Sequence, residues 1–355
     1  MTIGLDDVVA AETALSHVDG EAGRLIIAGH DLEELVGRVA FEDVVAMLWE
    51  GLVPDVVDPK ALLSAARQRA FTHLASLAPQ LAGLTPVEGM RLLLASLPDA
   101  DENHPALAVG AAGVAAAMAV RGAQGLAPVA PDSLLSHAAD ILRMMRDAPV
   151  TADEADALDT YLVTVIDHGL NASTFTARVV ASTQAGILSS VVAGLCALKG
   201  PLHGGAPGPV LDMLDAIGSI ENADSWLDGA MARGERLMGF GHRIYRVRDP
   251  RADVLKAAAG RLKGKDNRIA FAEAVEATAL KVLERRKPGR RLDTNVEFYT
   301  AILLDAIGVP REGFTPLFAA GRTAGWVAHA IEQSRTGRII RPQSRYVGTW
   351  PAEAA

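Results

Sequence analysis

Three of the nine histidines stand apart from the rest by what surrounds them. His168 lies in DHGLNAST, His203 in GPLHGGA and His242 in GFGHRIYRVRDPR. Each is flanked by glycine, which lets backbone approach a ligand closely. The third motif sets Arg243, Arg246, Arg248 and Arg251 behind its histidine. Imidazoles beside guanidinium groups suit acid-base and electrostatic chemistry on an anionic substrate, because the planar arginine fork pairs bidentately with carboxylate. The whole chain carries a net charge of -9, from 34 basic and 43 acidic residues. Binding a small anion therefore requires positive charge concentrated locally, as this motif does. His17, His73, His104, His137 and His329 have nothing distinctive around them and read as surface or satisfied core imidazoles.

Other chemistries lack their residues. HxxxH and CxxC spacings are missing, so no metal site is indicated. There is no nucleophile elbow, GxGxxG or Walker loop, which leaves acid-base and electrostatic catalysis. Opposite charges are interspersed without a sustained basic stripe, so nucleic acid is not an expected partner. The single cysteine, Cys196, sits in apolar VVAGLCAL and reads as a packing residue in a reducing compartment. Asp6, Asp7 and Glu12 stand where a signal peptide would be basic and then apolar, so a cytoplasmic location is expected. The most apolar runs, 109–120 and 185–198, fall short of the roughly 20 residues that span a bilayer and read as buried helices.

The elements that must hold these residues are helical. Val44, Val45, Leu48, Trp49 and Leu52 fall on one helix face, as do Leu158, Leu162 and Val165. Thr151 with Glu154 reads as a capping box, and Thr315 before Pro316 as a cap with a first-turn proline. Short extended pieces are expected at 24–28 and 339–341. Two Gly/Pro breaks, 121–133 and 200–209, divide the chain, and the stretch from the second break to about Gly308 is more charged. That change suggests a smaller inserted domain.

Five motifs besides GFGHRIYRVRDPR occur in order: GRLIIAGHDLEEL, DHGLNASTFTARVVAST, LKGPLHGGA, NVEFYTA and FTPLFAAGRTAGWVAHAIEQ. Together they resemble the citrate synthase family over nearly the whole chain. The resemblance implies an all-α fold with a large helical domain, 1–203 plus 309–355, and a small helical domain, 204–308, the active site lying in the cleft between them. It implies an acyltransferase that condenses acetyl-CoA with oxaloacetate and water to give citrate and CoA, without a cofactor. It also implies a homodimer, with neither nucleic acid nor membrane as partner.

By the same matching, His203 resembles the residue that hydrogen-bonds the thioester oxygen, and His242 the one that protonates the ketone. His168, Arg251, Arg322 and Arg341 resemble the oxaloacetate- and citrate-binding set, Arg341 coming from the partner subunit. Leu202, Gly204, Gly239, Gly241 and Arg248 match the region that holds CoA. NVEFYTA departs from the family pattern by placing Glu297 where Asp is usual, and Glu297 is read as the base. Asp293 is the substitute if that stretch is helical. Ala28 stands where relatives often carry Arg. Two other readings are 2-methylcitrate synthase, acting on propionyl-CoA, and a non-catalytic paralogue that binds acyl-CoA or a dicarboxylate.

Overall fold

Alanine, leucine and valine at helical spacing supply most of the apolar half of the chain, and helices result. The computed structural model describes residues 8–54, 56–99, 104–204, 207–241, 245, 247–262 and 267–350. Among the described residues it contains fifteen α-helices and one small sheet.

The sheet is antiparallel in the order β1 (Ser16–Asp19), β2 (Arg24–Ile27), β3 (His30–Asp31). The extended piece expected at 24–28 is its central strand, with Val18 opposite Leu25 and Ile27 opposite His30. Ala28 and Gly29 close the β2–β3 turn at φ +49° and +83°. A two-residue hairpin needs this left-handed pair, which is unusual for a residue with a Cβ. The second expected piece, 339–341, forms no strand; it runs exposed along the surface without a neighbouring strand to pair with.

Helices α1 (Leu32–Leu35), α2 (Phe41–Leu48), α3 (Pro59–Leu74) and α4 (Pro86–Ala95) lead to α5 (His104–Ala123). Small residues let the neighbours of α5 close in: a Cβ on Gly110 would sit 2.7 Å from Ala66 of α3. Pro105–Ala123 is long and apolar enough to cross a membrane, but its apolar stretch is 89% buried inside the fold, where it is the core helix. Then come α6 (His137–Arg146), α7 (Ala152–Val165), α8 (Ala172–Ala181) and α9 (Ile187–Leu198). The Thr151–Glu154 capping box at the start of α7 forms in both directions. Cys196 on α9 is exposed, not packed as the apolar run suggested, because it falls on the outward face of the helix.

Five helices follow: α10 (Pro207–Ile217), α11 (Ile220–Ala232), α12 (Pro250–Arg261), α13 (Asn267–Arg286) and α14 (Val296–Ala306). Among them α11 packs on α13, and both α10 and α12 pack on α14. The last helix, α15 (Phe314–Thr336), lies against α5, α7, α8 and α9. It begins one residue before Thr315, so Thr315 is not its cap; its hydroxyl instead donates to the Gly204 carbonyl at 3.1 Å.

Close approach of α15 to the end of α7 depends on Gly325, where a Cβ would meet the Ile166 carbonyl oxygen at 2.3 Å. Gly325→Ala should therefore cost about 1–3 kcal/mol through overpacking. Thermal unfolding should show a midpoint lowered by several degrees; an unchanged midpoint would mean that α15 shifts freely.

Candidate active site

Two helix N-termini share one carboxylate. Asp249, the cap of α12, accepts the Arg251 amide at 3.1 Å and holds the Arg251 guanidinium through two bonds of 3.0 and 2.8 Å. Its second oxygen also accepts the Val296 amide of α14 at 3.1 Å. An Asp-Pro sequence explains the local geometry, since Pro250 fits the first helical turn while aspartate caps it. Glu297 follows Val296 directly, so the clamp on Arg251 also sets the carboxylate beside it.

Asn295 caps α14 and donates its side-chain amide to the Gly241 carbonyl at 2.8 Å. Gly241 in turn donates to the Asp293 carbonyl at 2.8 Å, and Phe240 bridges Thr294. Asp293 therefore lies in an extended stretch before the helix, not on it, and loses the register that made it an alternative to Glu297. Glu297 is half-buried, and its carboxylate has no hydrogen-bond partner among the described residues. Burial pushes its pKa up to about 7, against the pull of Arg251 and with a further push from Asp249. This carboxyl is poised to exchange protons near neutrality.

His203 lies in the turn after α9, beside the N-terminus of α8. The Ser173 amide donates to its Nε2 at 3.3 Å, and the Ser173 hydroxyl, which also accepts Trp326 Nε1 at 3.2 Å, lies 2.9 Å from the same nitrogen. Nε2 is thereby an acceptor and the ring proton belongs on Nδ1. Burial, then the charge of Arg322, lowers the His203 pKa to about 4. The ring is a neutral donor at physiological pH.

The arginines line the same space. Arg322, buried in α15, donates Nε to the Val165 carbonyl at 2.5 Å and stacks over Phe318. Burial pulls its pKa down to about 10, Asp167 opposing and Arg251 reinforcing the shift. His168 is buried, with Nε2 3.1 Å from the Tyr245 hydroxyl, and Arg251 lies over the Tyr245 ring. Asp167, beside His168, accepts from Ser16 and from His329 Nε2 at 3.1 Å. His329 Nδ1 in turn meets Arg178 at 2.6 Å. His329 is thus a satisfied core imidazole. His137 bonds Arg67 through Nδ1 at 3.1 Å, while its buried Nε2 has no partner among the described residues.

A carboxyl titrating near neutrality, a neutral imidazole donor and two buried guanidinium groups can together abstract a proton next to a carbonyl on an anionic substrate. The family model for the citrate synthase C-terminal domain matches residues 4–343. The chain belongs to the citrate synthase family. A Mycobacterium tuberculosis protein provisionally named citrate synthase 2 is 40% identical over 354 residues, 98% of this chain and 93% of the relative. A 2-methylcitrate synthase of the same organism is 34% identical, over 97% and 90% of the two chains. Among solved structures, the ternary complex of Thermoplasma acidophilum citrate synthase with carboxymethyl coenzyme A and oxaloacetate is similar to this chain, with a TM-score of 0.87, 26% identity and coverage of 99% and 97%.

Citrate synthase family members are acyltransferases, and the fold around the site is all-α as the motifs implied. His168, His203, Arg251, Arg322 and Glu297 are drawn together by α7, α8, α12, α14 and α15. His242 lies outside the described residues. Arg341 is exposed beyond α15 and is not brought to the others. The neighbouring Ile340 amide bonds Ser182 at the far end of α8, roughly 15 Å from the end that meets His203, at 1.5 Å per helical residue.

Of the residues matched to CoA, Leu202 is 99% exposed, and Gly204 is packed where a Cβ would meet the Leu198 carbonyl oxygen at 2.6 Å. Gly239, at φ +85°, lets the chain pass against Phe298, and its carbonyl accepts the Asn295 amide at 2.9 Å. Arg248 pairs with Asp253 and Glu276 and lines a 610 Å³ cavity with Lys287, Arg290 and Arg291. Sequence reasoning missed Ser173, Tyr245, Asp249 and Trp326. Tyr245 and Asp249 were within reach, being the aromatic and the carboxylate of the arginine motif itself. Ser173 and Trp326 carried no local signal.

Proposed function

We propose that the protein is a citrate synthase, condensing acetyl-CoA with oxaloacetate and water to citrate and CoA. The observation that carries this reading is the Glu297 carboxyl, without a hydrogen-bond partner among the described residues and raised to about 7, in one site with the neutral His203. Arg251 and Arg322 hold the dicarboxylate, with His168 beside them. Glu297 removes a methyl proton from the thioester. His203 donates from Nδ1 to the thioester oxygen as it gains enolate character. The enolate carbon then bonds to the ketone carbon, and a water cleaves the thioester to release CoA. Motif resemblance assigns protonation of the ketone oxygen to His242.

The 610 Å³ cavity edged by Arg248, Lys287, Arg290 and Arg291 offers cationic groups to CoA phosphates. Leu202 and Gly204 flank His203, while Gly239 and Gly241 shape the backbone beside Glu297. The chemistry calls for no cofactor. Residues 204–308 act as a small domain that closes over the dicarboxylate against the remainder, excluding water from the enolate. The active form is a cytoplasmic homodimer in which Arg341 of each chain reaches the other's site; its distance from the site within one chain supports this arrangement.

A 2-methylcitrate synthase is the second reading, favoured by the 34% identical relative of that name. Glu297 argues for the smaller substrate, because its extra methylene takes up room that an acyl carbon would need. Thiol release, measured with oxaloacetate and either acetyl-CoA or propionyl-CoA, decides between them. The expected kcat/KM ratio favours acetyl-CoA by about 10-fold or more, the scale of one methylene. A ratio favouring propionyl-CoA would reverse the assignment. No release from folded, oxaloacetate-binding protein would make it a non-catalytic binder.

A further inference from the structure

Tyr161, on α7, is completely buried, and its hydroxyl has no hydrogen-bond partner among the described residues. A buried hydroxyl left unpaired is destabilising, whereas phenylalanine would fill the same space without that penalty. The hydroxyl thus contributes nothing to the fold in this conformation. Helix α7 packs against α12, α14 and α15, the helices that bear Arg251, Glu297 and Arg322. The charges of Glu297 and Arg322 both act on it, and burial keeps the phenol protonated far above neutral pH. Glu297 is its complement: an acceptor with no donor among the described residues, on a side chain with several rotatable bonds.

We propose that Tyr161 is the positioning residue of the base, its hydroxyl donating to the ionised Glu297 carboxylate as the site closes and holding that carboxylate toward the acyl carbon. The inference rests on Glu297 being the base. Other charged groups around α14 have different engagements. Arg251 and Asp249 of α12 pair with each other; Arg322 of α15 bonds Val165; Glu276 of α13 accepts from Lys256, Thr294 and Tyr299; Asp212 and Asp215 of α10 pair with Arg311. Donation to the charged form lowers a carboxylate pKa, so removing the hydroxyl raises it.

The test compares kcat against pH for the wild type and Tyr161→Phe, by thiol release from acetyl-CoA with saturating oxaloacetate. The acid limb of Tyr161→Phe should move up by about half to one pH unit, the size of one hydrogen bond, with kcat at pH 7 lower by about 2- to 6-fold. Raising the pH to 9 should restore it to near wild type, which a merely structural loss would not do. Melting temperature should be unchanged or higher. A superimposable profile, or a loss equal at every pH, overturns the proposal. Glu297→Gln run alongside separates the two ideas: if it still turns over, the base assignment falls and the Tyr161 role with it. If it is inactive while the Tyr161→Phe profile does not move, only the Tyr161 role falls.

Discussion

Glu297→Gln should lower kcat by about a thousandfold, the range in which losing a positioned general base falls. The amide nearly matches the carboxyl in size but cannot take a proton. Oxaloacetate affinity, followed by calorimetry at pH 7, should stay within about twofold, because in the proposed site the dicarboxylate is held by arginines and not by the base. A variant that kept turnover would move the base elsewhere.

The same substitution has a second, opposite effect. Glu297 has a folded-state pKa near 7, above its ordinary value of 4.5. The folded state therefore holds the proton more tightly than the unfolded chain does. The stability this provides is present below about pH 4.5 and is lost as pH rises through 7. Above pH 7 the wild type keeps a desolvated carboxylate that Glu297→Gln lacks, so the inactive variant should melt at a higher temperature there and at a similar one in acid. With Glu297 as the base, kcat/KM should fall as pH drops below about 7, since the carboxyl of the substrate-free site becomes protonated. His203, lowered to about 4, stays neutral through that range and does not contribute to the limb.

Arg322→Gln should weaken oxaloacetate binding by about 100-fold or more, as expected when one member of a buried, charge-assisted contact is removed. The Nε bond to Val165 shows how the guanidinium is aimed, and no hydrogen-bond partner engages its two terminal nitrogens among the described residues. Glutamine can keep a bond to Val165 while losing the fork. Calorimetric titration with oxaloacetate would reveal the loss, and thermal unfolding would establish that the variant is folded. Undiminished affinity would remove Arg322 from the dicarboxylate site.

The sequence was most legible where order is local. The Thr151–Glu154 cap and the long helix ending at Thr336 follow from spacings of three and four residues, which a single turn reads directly. The turn at Ala28 was hidden because alanine seldom adopts a positive φ; here the strand pairing imposes it. The outward face of Cys196 depends on which side of α9 meets α8, α4 and α15, which hydropathy alone does not encode. The site was legible to the extent that its residues lie in glycine-marked motifs. Its supports were not. Trp326 reaches Ser173 across 153 positions, and His329 reaches Asp167 across 162. Neither pairing leaves a trace in neighbouring letters, so His329 looked plain and Ser173 unremarked.

Asp249 grips Arg251 and the first amide of α14 at once, and this has a consequence for how substrate and proton interact. An incoming dicarboxylate draws on the guanidinium that Asp249 now neutralises, and adds negative charge a short way from Glu297. The dicarboxylate and the proton on Glu297 thus become cooperative ligands of one site, each tightening the other. In the proposed reaction, oxaloacetate bound alone therefore leaves the Glu297 carboxyl more fully protonated than it is in the empty site.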